Sequence, residues 1–236
     1  MHYVIGDIHN ELRKLRSILN QINIRPEDEL IVLGDVFDRG GTDADPVGVY
    51  LELSGIKGKC TWVRGNHDQW LADYIKKYYS KSERRREKLP PYSYNSFELM
   101  RQKFTKEEML SLVDYIDSLP LQKELELSGK KYLFAHAMTS PLGVPQKRDY
   151  YMMGTYDYDI FLLEGIEGAI SMCGHTPTDI IVWSQGNHKY LDEDKKSIWR
   201  NERENVYLLD CRCGFENGRL ACICLETGER FYSDDE

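Results

Sequence analysis

The sequence predicts an α/β domain with two sheets and helices on their outer faces. Three observations predict it. The first 35 residues alternate strand, helix and strand. Short apolar runs recur along the chain, and several end in Gly-Asp or another polar cluster. The second half carries more strand-like runs than helical ones.

Residues 3–6 read as a short strand. Asn10 can cap the following helix, because its side-chain oxygen can accept from an orphan N–H. Leu12, Leu15, Leu19 and Ile22 then fall on one helical face. The run RPEDE breaks that pattern, and LIVLG, residues 30–34, reads as a buried strand that completes a βαβ unit. Residues 46–53 are helix-like, 60–63 read as a third strand and 67–79 as a helix. A polar tract, SKSERRREKLPP, fills 80–91. Thr105 and Glu108 make a capping box for an amphipathic helix to Asp117. Residues 121–127 and 131–135 read as a hairpin turning at Ser128-Gly129. Strand-like runs follow at 169–173, 180–184, 206–213, 219–225 and 229–232. No repeat or low-complexity linker divides the chain, so residues 1–236 are expected to form one domain.

Composition narrows the function. Hydrophobic residues make up 41% and charged residues 30%, an ordinary globular balance. The net charge of −8, from 31 basic and 39 acidic residues, argues against a surface that coats nucleic acid. It leaves a phosphorylated substrate open, since bound cations reverse the local field. No apolar run approaches the roughly 20 residues that cross a bilayer. No secretory leader is visible, because Asp7 and His9 interrupt the early apolar stretch. The expectation is a cytoplasmic protein with neither membrane nor nucleic-acid partner. Its cysteines, Cys60, Cys173, Cys211, Cys213, Cys222 and Cys224, are then expected to be thiols.

Five stretches stand at apparent strand ends: GDIHN from Gly6, GDVFDRG from Gly34, RGNHD from Arg64, FAHAM from Phe134 and CGHT from Cys173. Four of the six histidines lie in them. Carboxyl ends of strands are where α/β folds place sites. The residue types suit two divalent metals. Asp7 and His9 are two apart, so in extended chain they face the same way. Asp35 can bridge through its two oxygens, Asn66 offers an amide oxygen, and His136 and His175 add imidazole nitrogens. Mixed N/O ligation suits Mn, Fe or Zn better than Mg or Ca. Such a pair orients a bridging water, lowers its pKa and places it for direct in-line attack on phosphorus. Arg39 and Arg64 can then grip phosphate oxygens, His67 can protonate the leaving oxygen, and Asp38 can hold His67 in the right tautomer.

In this order, GD-x-H, GD-x-x-DRG, GNH-D, H-A and GHT resemble the calcineurin-like metallophosphoesterase superfamily. DRG and the arginine before GNH resemble its phosphoprotein phosphatase family, especially the bacterial serine/threonine members. The likeness extends to NVYLLDCRCGFENGRLACICLETGE, similar to the closing hairpin of that branch. It implies a four-layer α/β/β/α sandwich with two mixed sheets. It assigns Asp7, His9 and Asp35 to one metal and Asp35, Asn66, His136 and His175 to the other. Asn10 stands where the first motif usually has Gly, Asp68 where many members have Glu, and HAM replaces HAG. The third phosphate-binding arginine has two candidates. Arg148 lies in the usual interval, and Arg212 lies near the site where relatives often have Gly.

Other features carry plainer readings. The Cys211/Cys213 and Cys222/Cys224 pairs are each expected on one strand face, as core thiols rather than a zinc site. ERRRE, residues 83–87, reads as a solvated face. The Tyr- and Met-rich run 148–159 is balanced between substrate groove and packing. His2 and His188 are expected at the surface.

The expected function is that of a metal-dependent phosphomonoesterase acting on phosphoserine or phosphothreonine in proteins, with two divalent ions, Mn foremost. The alternatives are symmetrical hydrolysis of diadenosine tetraphosphate or a related nucleotide, and a pseudo-enzyme that holds a phosphorylated partner.

Overall fold

The structure is a computed structural model and describes residues 1–155, 157–181 and 189–233. Its strands are β1 (His2–Ile5), β2 (Glu29–Val32), β3 (Lys59–Trp62), β4 (Gln122–Leu127), β5 (Lys130–Ala135), β6 (Ile170–Cys173), β7 (Lys189–Tyr190), β8 (Trp199–Arg200), β9 (Val206–Leu208), β10 (Ala221–Cys224) and β11 (Arg230–Tyr232). Its α-helices are α1 (Leu12–Ile22), α2 (Pro46–Ser54), α3 (Asn66–Tyr79), α4 (Glu83–Arg86), α5 (Ser96–Arg101), α6 (Lys106–Ser118), α7 (Arg148–Met153) and α8 (Tyr158–Glu164).

The strands form two mixed sheets. One runs β11-β10-β1-β2-β3, the other β4-β5-β6-β9-β8-β7. Strands β1, β2 and β3 pair in parallel, as do β5, β6 and β9. Alternating side chains then decide the layers. Tyr3, Ile5, Leu30, Val32, Cys222 and Cys224 join the core beneath α1, α2, α3, α5 and α6. Their neighbours Val4, Ile31 and Ile223 point the other way, onto Tyr132, Phe134 and Met172 of the second sheet. On that sheet's far side, Cys173, Val206 and Leu208 meet Phe161 and Leu162 of α8. The order is therefore α/β/β/α, as expected. The hairpin of β4 and β5 turns at Ser128-Gly129, and Thr105 and Glu108 close the capping box of α6.

Several local expectations are corrected. Asn10 does not cap α1. Glu11 is the N-cap residue, without a side-chain cap bond, and the Asn10 amide donates instead to Arg39 O, Asn95 Oδ1 and Ser96 Oγ. The strand expected at 206–213 stops at Leu208, because Asp210 turns inward and Arg212 takes φ 66°. That turn splits the first cysteine pair: Cys211 enters the core between the sheets and Cys213 the core under the helices. All four cysteines of the two pairs are buried thiols. A 3-10 turn, Thr178–Ile180, stands where a strand was expected from residue 180, and residues 182–184 lie outside the described residues. His188 also lies outside them. His2 is half-buried in β1 and bonds Glu226 Oε1 through Nδ1 at 2.7 Å. The one-turn α4 buries nothing, in line with a solvated ERRRE.

Candidate dinuclear metal centre

Parallel strands bring their carboxyl ends to one edge, and each motif follows such an end. Asp7 and His9 follow β1, Asp35 to Arg39 follow β2, and Arg64 to His67 follow β3. His136 and His175 follow β5 and β6. Two donor groups share Asp35. One is Asp7, His9 and Asp35; the other is Asp35, His136 and His175, with ligand atoms in each within 4.8 Å of one another. Asn66 Oδ1 lies 3.0 Å from both His136 Nε2 and His175 Nδ1, so it joins the second group.

Backbone carbonyls set the tautomers. His9 Nδ1 donates to Phe37 O at 3.0 Å and His136 Nδ1 to Leu33 O at 2.7 Å. Each ring therefore turns Nε2 inward as a donor to a metal. In the second group His136 Nε2 stands 3.3 Å from His175 Nδ1 and 3.2 Å from Asp35 Oδ2. Lone pairs gathered this closely repel unless protons or cations lie between them, and the mixed donor set fits two divalent ions.

Two glycines make room. A Cβ on Gly65 would overlap Asp35 Oδ1 and its backbone nitrogen, and one on Gly174 would overlap Asp7 Oδ1. Asp68 fixes the loop that carries Asp35. Its buried carboxylate accepts from the N–H groups of Asp35, Val36 and Gly65 at 3.0, 2.9 and 3.0 Å. Of the eleven non-glycine residues with positive φ among those described, seven are His9, Asn10, Asp35, Asp38, Arg39, His175 and Arg212. Such backbone costs energy and persists where the surroundings hold it.

The electrostatics follow from burial and crowding. Burial, then the neighbouring Asp210, raises the Asp7 pKa well above the usual range. Burial, then Asp35, raises Asp68 to about 6. Burial lowers His9 to about 3, and burial with the His136 charge lowers His175 to about 4. Burial also pushes His136 down, but Asp35 and Asp7 outweigh it and hold the pKa at about 10.

Beside the metal donors stands a buried pair. His67 Nδ1 lies 3.0 Å from Asp38 Oδ2, and the His67 ring meets His9 edge to face at 5.1 Å. Arg39 reaches the same place, donating from Nη1 to His9 Nε2 at 3.1 Å with its guanidinium 4.6 Å from the centre of the Phe215 ring. The other arginines are held elsewhere. Arg64 gives Nη1 to Gln69 Oε1 at 2.8 Å and Nη2 to the carbonyls of Asp117 and Leu119. Arg148 is exposed at the start of α7, 3.7 Å from Asp149. Arg212 pairs with Asp179 at 2.8 Å, and its guanidinium lies 5.1 Å from the centre of the Phe215 ring.

Some residues of this centre carry no motif. Asp210 is buried, and its charge acts on Asp7. It follows β9 as the other acids follow their strands, a signal present in LLDCRC. Tyr92, Asn95 and Ser96 also reach the centre, and no spacing marks them.

The comparisons with known proteins agree with this geometry. Residues 3–209 match the model of the calcineurin-like phosphoesterase family. An uncharacterized protein of Methanocaldococcus jannaschii is 30% identical over 206 residues, which is 83% of this chain and 72% of the relative. A symmetrical bis(5'-nucleosyl)-tetraphosphatase of Shewanella sediminis is 30% identical over 125 residues, 52% of this chain but only 40% of that enzyme. A crystal structure named as a candidate diadenosine tetraphosphatase superposes with TM-score 0.62 at 17% identity, covering 98% of this chain and 91% of its own. That likeness concerns the fold. All five strand-end motifs fall inside the matched span, and the chain belongs to the calcineurin-like phosphoesterase family of metal-dependent phosphoester hydrolases.

Proposed function

We propose that the chain is a phosphomonoesterase acting on phosphoserine and phosphothreonine in proteins, with Asp7, His9 and Asp35 holding one divalent ion and Asp35, Asn66, His136 and His175 the other. Mixed imidazole, carboxylate and amide donors favour Mn, with Fe and Zn as further candidates. The ions would supply Lewis-acid activation of water and neutralise phosphate charge. The protein's own groups do the rest. Arg39 offers a planar fork to phosphate oxygens at the mouth of the first donor group. Asp38 accepts a hydrogen bond from Nδ1–H of His67 and so steadies the doubly protonated ring, whose Nε2–H is the one offered to the leaving oxygen.

The buried His67–Asp38 pair, at 3.0 Å, carries this reading. A serine or threonine alkoxide leaves poorly without a proton, and a positioned acid is worth about a hundred- to ten-thousandfold there. A nucleoside diphosphate leaves as a stable anion and has little use for one. Arg64, with Arg148 and Arg212, makes a second rank of phosphate-binding candidates. Arg64 would join by giving up the carbonyls it now holds. The six free cysteines fit a reducing, cytoplasmic compartment, and no described helix is long and apolar enough to cross a membrane.

The test is phosphate release by Mn-loaded protein from a phosphothreonine peptide and from diadenosine tetraphosphate at equal concentration. Faster turnover of the peptide, lost in His67→Asn, is expected. Nucleoside diphosphate from the dinucleotide with the peptide untouched would move the chain to the nucleotide hydrolases.

A further inference from the structure

The run PPYSYNS, residues 90–96, joins α4 to α5 and reads as ordinary connecting chain. Four of its residues nevertheless converge on the acid pair and on Arg39. Tyr92 OH donates to Asp38 Oδ2 at 2.6 Å, the same oxygen that takes His67 Nδ1. The Tyr94 ring packs against the His67 ring at 4.5 Å, edge to face. Asn95 Nδ2 donates to Arg39 O at 2.6 Å. Ser96 Oγ accepts from Asp38 N at 2.6 Å. Asn10 closes the cluster, donating to Arg39 O at 3.2 Å, Asn95 Oδ1 at 3.2 Å and Ser96 Oγ at 3.0 Å.

These bonds fall where the backbone needs them. Asp38 and Arg39 are consecutive left-handed residues, φ 67° and 60°. Backbone of this kind is disfavoured for residues with a side chain and persists where the surroundings hold it. Asn95 also forgoes its local use: it sits at the N-cap of α5 and makes no side-chain cap bond there. Around Asp38, one carboxylate oxygen takes two donors while Oδ1, buried, has none. The Tyr92 bond thus selects which oxygen faces His67.

We propose that residues 92–96 form a positioning arm, in which Tyr92 orients Asp38 so that His67 delivers its proton to the leaving oxygen, while Asn95, Ser96 and Asn10 hold the backbone that aims Arg39 at phosphate. The inference rests on the reading of His67 as the acid. None of the arm's residues takes a chemical step itself. The two halves of the arm predict different kinetic defects.

Tyr92→Phe keeps the ring and removes one hydrogen bond. With Mn-loaded protein, kcat on a phosphothreonine peptide is expected to fall about tenfold at unchanged KM, as for a hydrogen bond to a charged group. On p-nitrophenyl phosphate, whose leaving group needs little help from an acid, kcat is expected to change less than about twofold. Asn95→Ala is expected to raise KM for both substrates, and Ki for inorganic phosphate, by about three- to tenfold. Equal losses on both substrates in Tyr92→Phe, or no loss, would overturn the proposal. His67→Asn separates the causes. If it shows no leaving-group dependence, the acid reading fails and the arm with it. If it does and Tyr92→Phe does not, only the arm fails. Should Tyr92→Phe not fold, Asn95→Ala decides alone: unchanged KM and unchanged phosphate inhibition would overturn the arm.

Discussion

A chelator that strips both ions should leave a proton behind on His136. Its Nε2 stands 3.2 Å from Asp35 Oδ2, and both groups are buried. Burial alone would drive the imidazole neutral, but Asp35 and Asp7 hold its pKa at about 10 against a usual value of 6.5. A metal that binds this nitrogen must displace the proton. At pH 7 the group lies about three units below its own pKa, so the competition costs about 4 kcal/mol. The Mn affinity of the second donor group should therefore rise about tenfold per pH unit between pH 7 and 9. Calorimetric titration of the chelated protein in buffers of different ionisation enthalpy measures the release directly, and at least one proton per second-site ion is expected at pH 7. Asp7, raised by burial and by Asp210, adds to the count as the pH falls.

The same shift sets the stability of the chelated protein. A pKa raised on folding contributes stability that is full below 6.5 and lost as the pH climbs through about 10. Between pH 7 and 10 the chelated protein should lose roughly 3–4 kcal/mol of stability, read as a falling melting temperature. The Mn-loaded protein, with no proton there to lose, should not share this fall. Binding heats independent of buffer at pH 7 would mean that His136 is already neutral, and would refute the reasoning.

Three further outcomes follow from the packing. Gly65→Ala pushes a methyl into Asp35, the residue common to both donor groups, and should leave fewer than two Mn per chain after dialysis; elemental analysis reads this, and a retained pair of ions would contradict the shared role. Asp68→Ala strands three buried N–H groups. It should lower stability by about 3–6 kcal/mol in urea unfolding at unchanged m, and a loss under about 1 kcal/mol would show that Asp68 does not hold the loop. Five of the six thiols are buried, and burial raises the half-buried Cys60 to about 11. Ellman's reagent should therefore label the native protein slowly, beginning at Cys60, and all six cysteines promptly in denaturant; prompt native labelling of Cys222 or Cys224 would contradict the core assignment.

The sequence shows the candidate metal donors because such chemistry demands particular residue types at short spacings after strands. Asp7 and His9 are two residues apart, and each of the other donors sits a few residues past an apolar run. The outer helices were legible from the alternation of elements and the four layers from the family resemblance, whereas all-apolar runs such as Tyr3-Val4-Ile5 do not say which face meets the helices until the packing shows it. What stayed hidden depends on partners far along the chain. Arg64 looks like a free phosphate ligand until α6 brings the carbonyls of Asp117 and Leu119 to it. Cys211 and Cys213 look like one strand face until the turn at Arg212 sends them into different cores.

Asn10 and Asn95 make the sharper case. Each occupies a place where local rules would have it cap a helix, and each gives its amide to the main chain of Arg39 instead. A cap of this kind is worth about 1 kcal/mol. Both helices go without it, while the left-handed backbone at Asp38 and Arg39 is held. Where two residues break the same local rule to bond one carbonyl beside the buried His67–Asp38 pair, the exception serves the candidate site rather than helix stability. Short motifs report the candidate metal donors, and broken local rules report the groups proposed to aim the others.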